Sequence, residues 1–361
     1  MSNFDKEDLV AYIEDIMPLN SKMASQMETY LDGLTKPVGA LGRLEQLMIQ
    51  LAGSQETLEV KTNPKVTVIM CADNGVCDEG VSSCPQDVTA TVTYNFTRGI
   101  TAMNKLSEFA GAAMHIVDIG VKEDFNHPLI HQCKVSYGTK NMTKEPAMTY
   151  EEALVGIEVG IKETESLIKK GYEIFGTGEM GIGNTTTSAA VTAVLLEVEV
   201  PRVTGKGSGA LDTVYHSKIQ AIEEAVRVNK PNSKDPIDVL AKVGGLDLAG
   251  LVGVYIAAAR NRKLIVIDGF ISATAALIAY KLCPLTKEYM IASHLSKEAG
   301  MQLILESIGL EAHFNLEMRL GEGSGCPILF NLIDMAKHTL LGMGTFEDAG
   351  VDKSNYMHIW K

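Results

Sequence analysis

The sequence is short of basic residues, of membrane-length apolar runs and of metal-binding cysteine pairs, and each shortage excludes something. Lys and Arg number 32 against 45 Asp and Glu, a formal net charge of −13. So acidic a chain lacks the cationic excess that drives non-specific nucleic-acid binding or adhesion to anionic membranes. No apolar stretch reaches the roughly 20 residues that cross a bilayer. The N-terminal MSNFDKEDLVAYIEDIM is acidic where a signal peptide has a basic start and an apolar core. The six cysteines form no CxxC pair; Cys71, Cys77 and Cys84 are spaced six and seven apart, which matches no zinc pattern. Reduced thiols and a cytoplasmic location are therefore expected. Disorder is excluded as well, because 46% of the chain is hydrophobic and only 21% charged. What is abundant is glycine, at 33 residues.

Along the chain, apolar residues first recur at helical spacing, as in Met23, Met27, Tyr30 and Leu31 and again in Leu44, Leu47, Met48 and Leu51. From Val66 the texture changes to short apolar runs alternating with helical stretches. Strands are expected at 66–70, 113–119, 172–175 and 264–267. Helices are expected at 90–109, 150–170, 186–196, 211–229, 238–260 (as one or two), 273–282 and 327–346. This alternation predicts an α/β fold, a mostly parallel Rossmann-like sheet flanked by helices. A smaller helical subdomain, residues 1–60 joined by 335–361, is expected beside a catalytic domain over 61–334. Ligands of such sheets bind at the carboxyl ends of strands. The loops opening at Asp73, Asp118, Gly176 and Asp268 are thus the places to look.

Three glycine segments stand out. Gly176-Thr-Gly-Glu-Met-Gly-Ile-Gly-Asn-Thr-Thr-Thr187 follows a strand and opens a helix, where free backbone N–H groups and the helix dipole suit an anion. Gly176, Gly178 and Gly181 also satisfy GxGxxG, which leaves a dinucleotide and an NAD-dependent oxidoreductase open. Gly205-Lys-Gly-Ser-Gly209 lacks the closing GKS or GKT of a P-loop, and Lys218 on the next helix can supply a point charge to a phosphate. In Met318-Arg-Leu-Gly-Glu-Gly-Ser-Gly325, glycines beside Glu322 admit a bulky substrate to a carboxylate that can serve as a general base, or the carboxylate can simply cap the next helix. Spacing assembles no Ser/His/Asp or Cys/His constellation. Read this way, the residues indicate a phosphate-compatible α/β enzyme without naming its reaction.

Taken together, several segments resemble the nicotinate-nucleotide–dimethylbenzimidazole phosphoribosyltransferase family. They are KPVGALGRLE from Lys36, ADNGV from Ala72, DEGV from Asp78, GEMGIGNTT from Gly178, DPIDVLAKVGGLD from Asp235, Asp268-Gly-Phe270, Ser293-His294 and MRLGEGSG from Met318. The resemblance implies transfer of phosphoribose from nicotinate mononucleotide to an aromatic base, releasing nicotinate and yielding an α-ribotide for cobamide synthesis. It implies Glu322 as general base. Gly181, Gly183, Asn184 and Thr185 would line the phosphoribosyl site with Gly205, Gly207, Lys218 and Ser296. Glu179 would contact the acceptor or the nicotinate, and Met180, Asp268, Leu320, Cys84 and Val92 complete the substrate-binding set. No cofactor and no metal are implied.

The chain departs from the family's pattern around the acceptor. Asn74 stands for a histidine, Cys84 for a serine or tyrosine, and Val92 for a glutamine that hydrogen-bonds the benzimidazole. A less polar pocket suits an acceptor without a second ring nitrogen, so phenol or p-cresol stands beside dimethylbenzimidazole as the expected acceptor. The family also implies a dimer, either of this chain or with a paralogous subunit. A non-catalytic subunit is a further reading, against which the retained Glu322 speaks.

Overall fold

The protein was analysed as a computed structural model that describes residues 4–205 and 212–352. Gly207 and its neighbours in the second glycine segment lie outside the described residues. Six strands, β1 (Lys65–Ala72), β2 (Ala112–Gly120), β3 (Ile130–Gln132), β4 (Ile174–Met180), β5 (Leu264–Ile267) and β6 (Met290–Ala292), form one sheet in the order β3-β2-β1-β4-β5-β6. Every pairing is parallel. The expected α/β architecture is therefore present. Its physical cause is visible in β1 and β4, which are buried along their whole length because helices cover both faces.

Several element boundaries differ from expectation for identifiable reasons. The helix expected over 90–109 is two, Val88–Thr97 and Ala102–Phe109, separated where Gly99 takes φ +70° and Thr101 starts a capping box with Asn104. The 238–260 stretch is likewise two helices, Pro236–Val243 and Leu246–Arg260, parted by Gly244 and Gly245. The three-residue strands β3 and β6 and the helix Met301–Ile308 have too little periodic pattern to be read from sequence.

The most consequential correction concerns β4, which does not end at 175 but continues through the first two glycines to Met180. Gly176 and Gly178 are there for close packing rather than for a turn. A Cβ on Gly176 would come within 2.8 Å of the Cys326 Cβ, and one on Gly178 within 2.8 Å of the Glu322 carbonyl oxygen. The ligand-facing loop accordingly opens at Gly181, not at Gly176.

The chain-end helices Lys6–Glu14, Ser21–Asp32, Arg43–Gln55 and Gly325–Gly342 share the main core: Leu9, Met27, Leu51 and Leu340 belong to the same apolar cluster as Val66 and Phe175. A bridge between Leu34 and Thr345 ties the two ends of the chain. Strand order reverses between β1 and β4, and the carboxyl ends of these two strands face the crevice where open α/β sheets bind ligands.

Candidate active site

A cavity of about 250 Å³ occupies this crevice. Its floor is the end of β4 and the turn into helix Asn184–Leu196, from Glu179 through Thr185. Its polar lining includes Lys218, Ser296, Glu298 and Arg319. Its apolar lining includes Val81, Val88, Val92, Met180 and Leu320, beside Ser82, Ser83 and Cys84. Glu322 lines the same space.

The loop bearing Glu322 is held in a conformation it would not adopt freely. Gly321, Glu322 and Gly323 have φ of 79°, 62° and 87°, so a non-glycine residue sits in the left-handed region between two glycines. Three backbone donors pin it. The Glu322 N–H donates to Glu179 Oε1 at 3.2 Å, and the Gly323 and Gly325 N–H groups donate to the two Asp268 oxygens at 2.9 and 2.6 Å. The Glu322 side chain is left out of this network: its Oε2 is buried without a hydrogen-bond partner. Burial raises its pKa above the ordinary carboxylate range, which favours a group that must accept a proton near neutrality.

Further carboxylates lie beneath. Asn184 donates its amide to Glu179 and, at 3.0 Å, to Asp247 Oδ2, bridging two buried acids. Burial pushes Asp247 up to about 7 and Asp268 up to about 8, and it raises Glu179 with a contribution from the nearby Glu322 charge. His294, buried against Asp268, is held neutral by desolvation, its pKa lowered to about 4.

Within the polar lining, Lys218 Nζ donates to Thr185 Oγ1 at 2.9 Å. Burial lowers the Lys218 pKa, and Glu298 opposes that shift. Glu298 Oε2 is buried and unpartnered. Lys218, Thr185, the start of helix Asn184–Leu196 and Arg319 give the cavity the donors and charge that an anion needs.

Most of the residues singled out from the sequence meet here: Glu179, Met180, Gly181, Gly183, Asn184, Thr185, Lys218, Ser296, Cys84, Val92, Leu320 and Glu322 all line the cavity. Asp268 does not. It lies behind the loop as an anchor, its two oxygens taken by backbone N–H groups. Gly205 is absent from the lining and is pressed instead against the Glu298 carboxylate. Sequence reasoning missed Glu298, Arg319 and the start of helix Phe270–Leu282 with its N-cap Gly269 as lining residues. Arg319 had a signal, its place in MRLGEGSG, whereas Glu298 had none. The GxGxxG reading fails on geometry, because Gly176 and Gly178 are strand residues packed against Cys326 and Glu322.

Comparison with known proteins shows the family. The phosphoribosyltransferase family model matches residues 16–351. A nicotinate-nucleotide–dimethylbenzimidazole phosphoribosyltransferase of Clostridium tetani is 47% identical over 95% of this chain and 94% of its own. That of Clostridium acetobutylicum is 49% identical over 94% and 97%. The crystal structure of the corresponding Thermus thermophilus enzyme superposes with a TM-score of 0.87 at 36% identity, covering 93% of this chain and 100% of that one. The match runs across the cavity lining and the loop of Glu322, and the chain belongs to the nicotinate-nucleotide–dimethylbenzimidazole phosphoribosyltransferase family.

Proposed function

We propose that this enzyme transfers phosphoribose from nicotinate mononucleotide to an aromatic acceptor, releasing nicotinate and forming an α-ribotide for cobamide synthesis. The observation that carries the reading is Glu322, whose buried Oε2 has no partner and stands in a cavity that offers donors and charge for an anion and apolar surface for a ring. The donor's phosphate occupies the end with Lys218, Thr185 and Arg319, joined by Gly181, Gly183, Asn184 and Ser296. The acceptor lies against Val81, Val88, Val92, Cys84, Met180 and Leu320. As an acceptor nitrogen or phenolic oxygen bonds to ribose C1′, its proton passes to Glu322. The bond from C1′ to the pyridinium nitrogen breaks, and its electron pair neutralises the departing ring. Glu179 and Asp268 position the base through the loop backbone.

The acceptor side has Val92 where the family's pattern implies a glutamine, so shape rather than paired hydrogen bonds selects the acceptor. Phenols are accepted beside benzimidazoles, since a phenolic proton with pKa about 10 suits a base of raised pKa. Incubation with nicotinate mononucleotide and each acceptor, followed by separation of ribotides, tests both statements. Product with neither class refutes the transferase reading; product with benzimidazoles alone refutes the phenolic part. The working unit is a dimer, of this chain or with a paralogue, and Leu320 stands 51% exposed at the cavity for a partner to cover. Sedimentation of the purified chain, alone and with a paralogue, checks that. The unpaired cysteines suit a reducing cytoplasm.

A further inference from the structure

At the opposite side of the sheet from β5 and β6, two histidines and a glutamate converge without any part in the reaction. His115 is on β2, His131 on β3, and Glu163 on helix Tyr150–Lys169. His115 Nε2 lies 2.6 Å and His131 Nδ1 3.4 Å from the same oxygen, Glu163 Oε2. The imidazoles are 4.0 Å apart between centroids. Cys133 Sγ is 3.5 Å from the other oxygen, Glu163 Oε1. One ligand atom from each of His115, His131 and Glu163 lies within 4.8 Å of the other two.

We propose that His115, His131 and Glu163 form a binding site for a divalent transition-metal ion, zinc by its ligand set, with water completing the coordination. Around a tetrahedral zinc with bonds of roughly 2.0–2.2 Å, nitrogen and oxygen donors sit about 3.3 Å apart. The 2.6 and 3.4 Å separations fall on either side of that spacing, so a small rotation of the partly exposed His131 ring accommodates the ion. Two imidazoles and a carboxylate are an established donor set for zinc. The ion has a way in: a surface hollow opens beside His115 and His131, and the His131 side chain is 39% exposed.

The position explains what such an ion would do. β3 is an edge strand of three residues, paired with β2 at only three positions. A metal joined to β2, β3 and the helix would staple that edge in place. The segment leaving β3 then braces the loop that leads to Val81 at the cavity: Thr139 Oγ1 accepts from the Gly75 N–H, and Asn141 and Thr143 donate to Glu79.

The test uses the full-length protein stripped with a chelator and titrated with Zn²⁺ alone by calorimetry, with bound metal counted by elemental analysis. One equivalent per chain is expected, and His131→Ala should weaken binding at least about tenfold. Because His131 is partly exposed, this variant should retain its far-ultraviolet dichroism. Cobalt substitution supplies a second readout: the wild type should show visible ligand-field bands that His131→Ala lacks. Absence of stoichiometric zinc in the wild type, or equal affinity in His131→Ala, overturns the site.

Discussion

The two ends of the cavity solve different recognition problems with different chemistry. At the proposed donor end, Lys218, Thr185, Arg319 and a helix start supply positive charge and hydrogen-bond donors. At the proposed acceptor end, Val81, Val88, Val92, Met180 and Leu320 supply shape and little else. The contrast teaches where specificity is stringent. A phosphate is held by charge-assisted hydrogen bonds, which fail steeply when one partner is lost. An aromatic ring against aliphatic side chains is discriminated only weakly, by about 1–3 kcal/mol for a change of one methylene. Between the ends stands Glu322, which belongs to neither.

The comparison can be broken most severely at that midpoint. Glu322→Gln should lower kcat by about 10²- to 10⁴-fold while leaving donor binding intact, as measured by ribotide formation and by equilibrium binding of nicotinate mononucleotide. The wild-type rate should also fall on acidification through a pKa above that of an ordinary exposed glutamate, because burial raises the Glu322 value and protonation removes the base. The variant should lack that limb.

At the donor end, Lys218→Met should raise the KM for nicotinate mononucleotide by about 10- to 100-fold, the worth of one charge-assisted hydrogen bond. The KM for the acceptor should change far less. Equal losses for both substrates would collapse the distinction between the ends.

Asp268→Asn sharpens the distinction between contact and support. It leaves one of two backbone N–H groups without an acceptor, at a cost of about 1–3 kcal/mol, and should lower kcat with little change in donor KM. Its pH signature follows from burial. The Asp268 pKa is pushed up to about 8 when folded, against about 3.9 for an exposed aspartate. Between these values the folded state keeps a proton that the unfolded chain has released, so this group's contribution to stability declines as pH rises. Thermal melts from about pH 5 to about pH 8 should therefore show a shallower decline of Tm in Asp268→Asn than in the wild type.

The smallest effect is expected at Val92→Gln. A restored amide should favour benzimidazole over phenol by a few-fold in kcat/KM, about 1 kcal/mol, with the donor KM unchanged. Competition between the two acceptors in one reaction measures it directly.

Much of this arrangement was legible in the residues. The apolar runs of β1, β2 and β5 and the glycine segments point to a parallel sheet with its ligands at the strand ends; Glu322 and Asn184 stand in glycine-bearing motifs, whereas Lys218 is implied only by the family resemblance. The misreadings share a cause. Gly176 and Gly178 look like a turn because glycine is a turn residue locally, whereas here they admit Cys326 and Glu322 from nearly 150 positions away. Asp268 at a strand end reads as a ligand contact, but its partners are the Gly323 and Gly325 N–H groups, which no local pattern can reveal. Glu298 carries no motif at all and enters the site only because the fold sets it facing Lys218.

What the sequence by itself determined is the class of fold, the glycine-bearing loops and the family, since each rests on periodicity or on residues adjacent in the chain. Only the tertiary structure decided which carboxylate is free and which are anchors. Burial raises the pKa values of Glu322, Asp247 and Asp268 alike, but Glu322 alone of the three is both in the cavity and has an oxygen left without a partner. That difference arises because desolvation and hydrogen bonding are set by whatever the folded chain packs around a group, and those neighbours come from distant parts of the sequence.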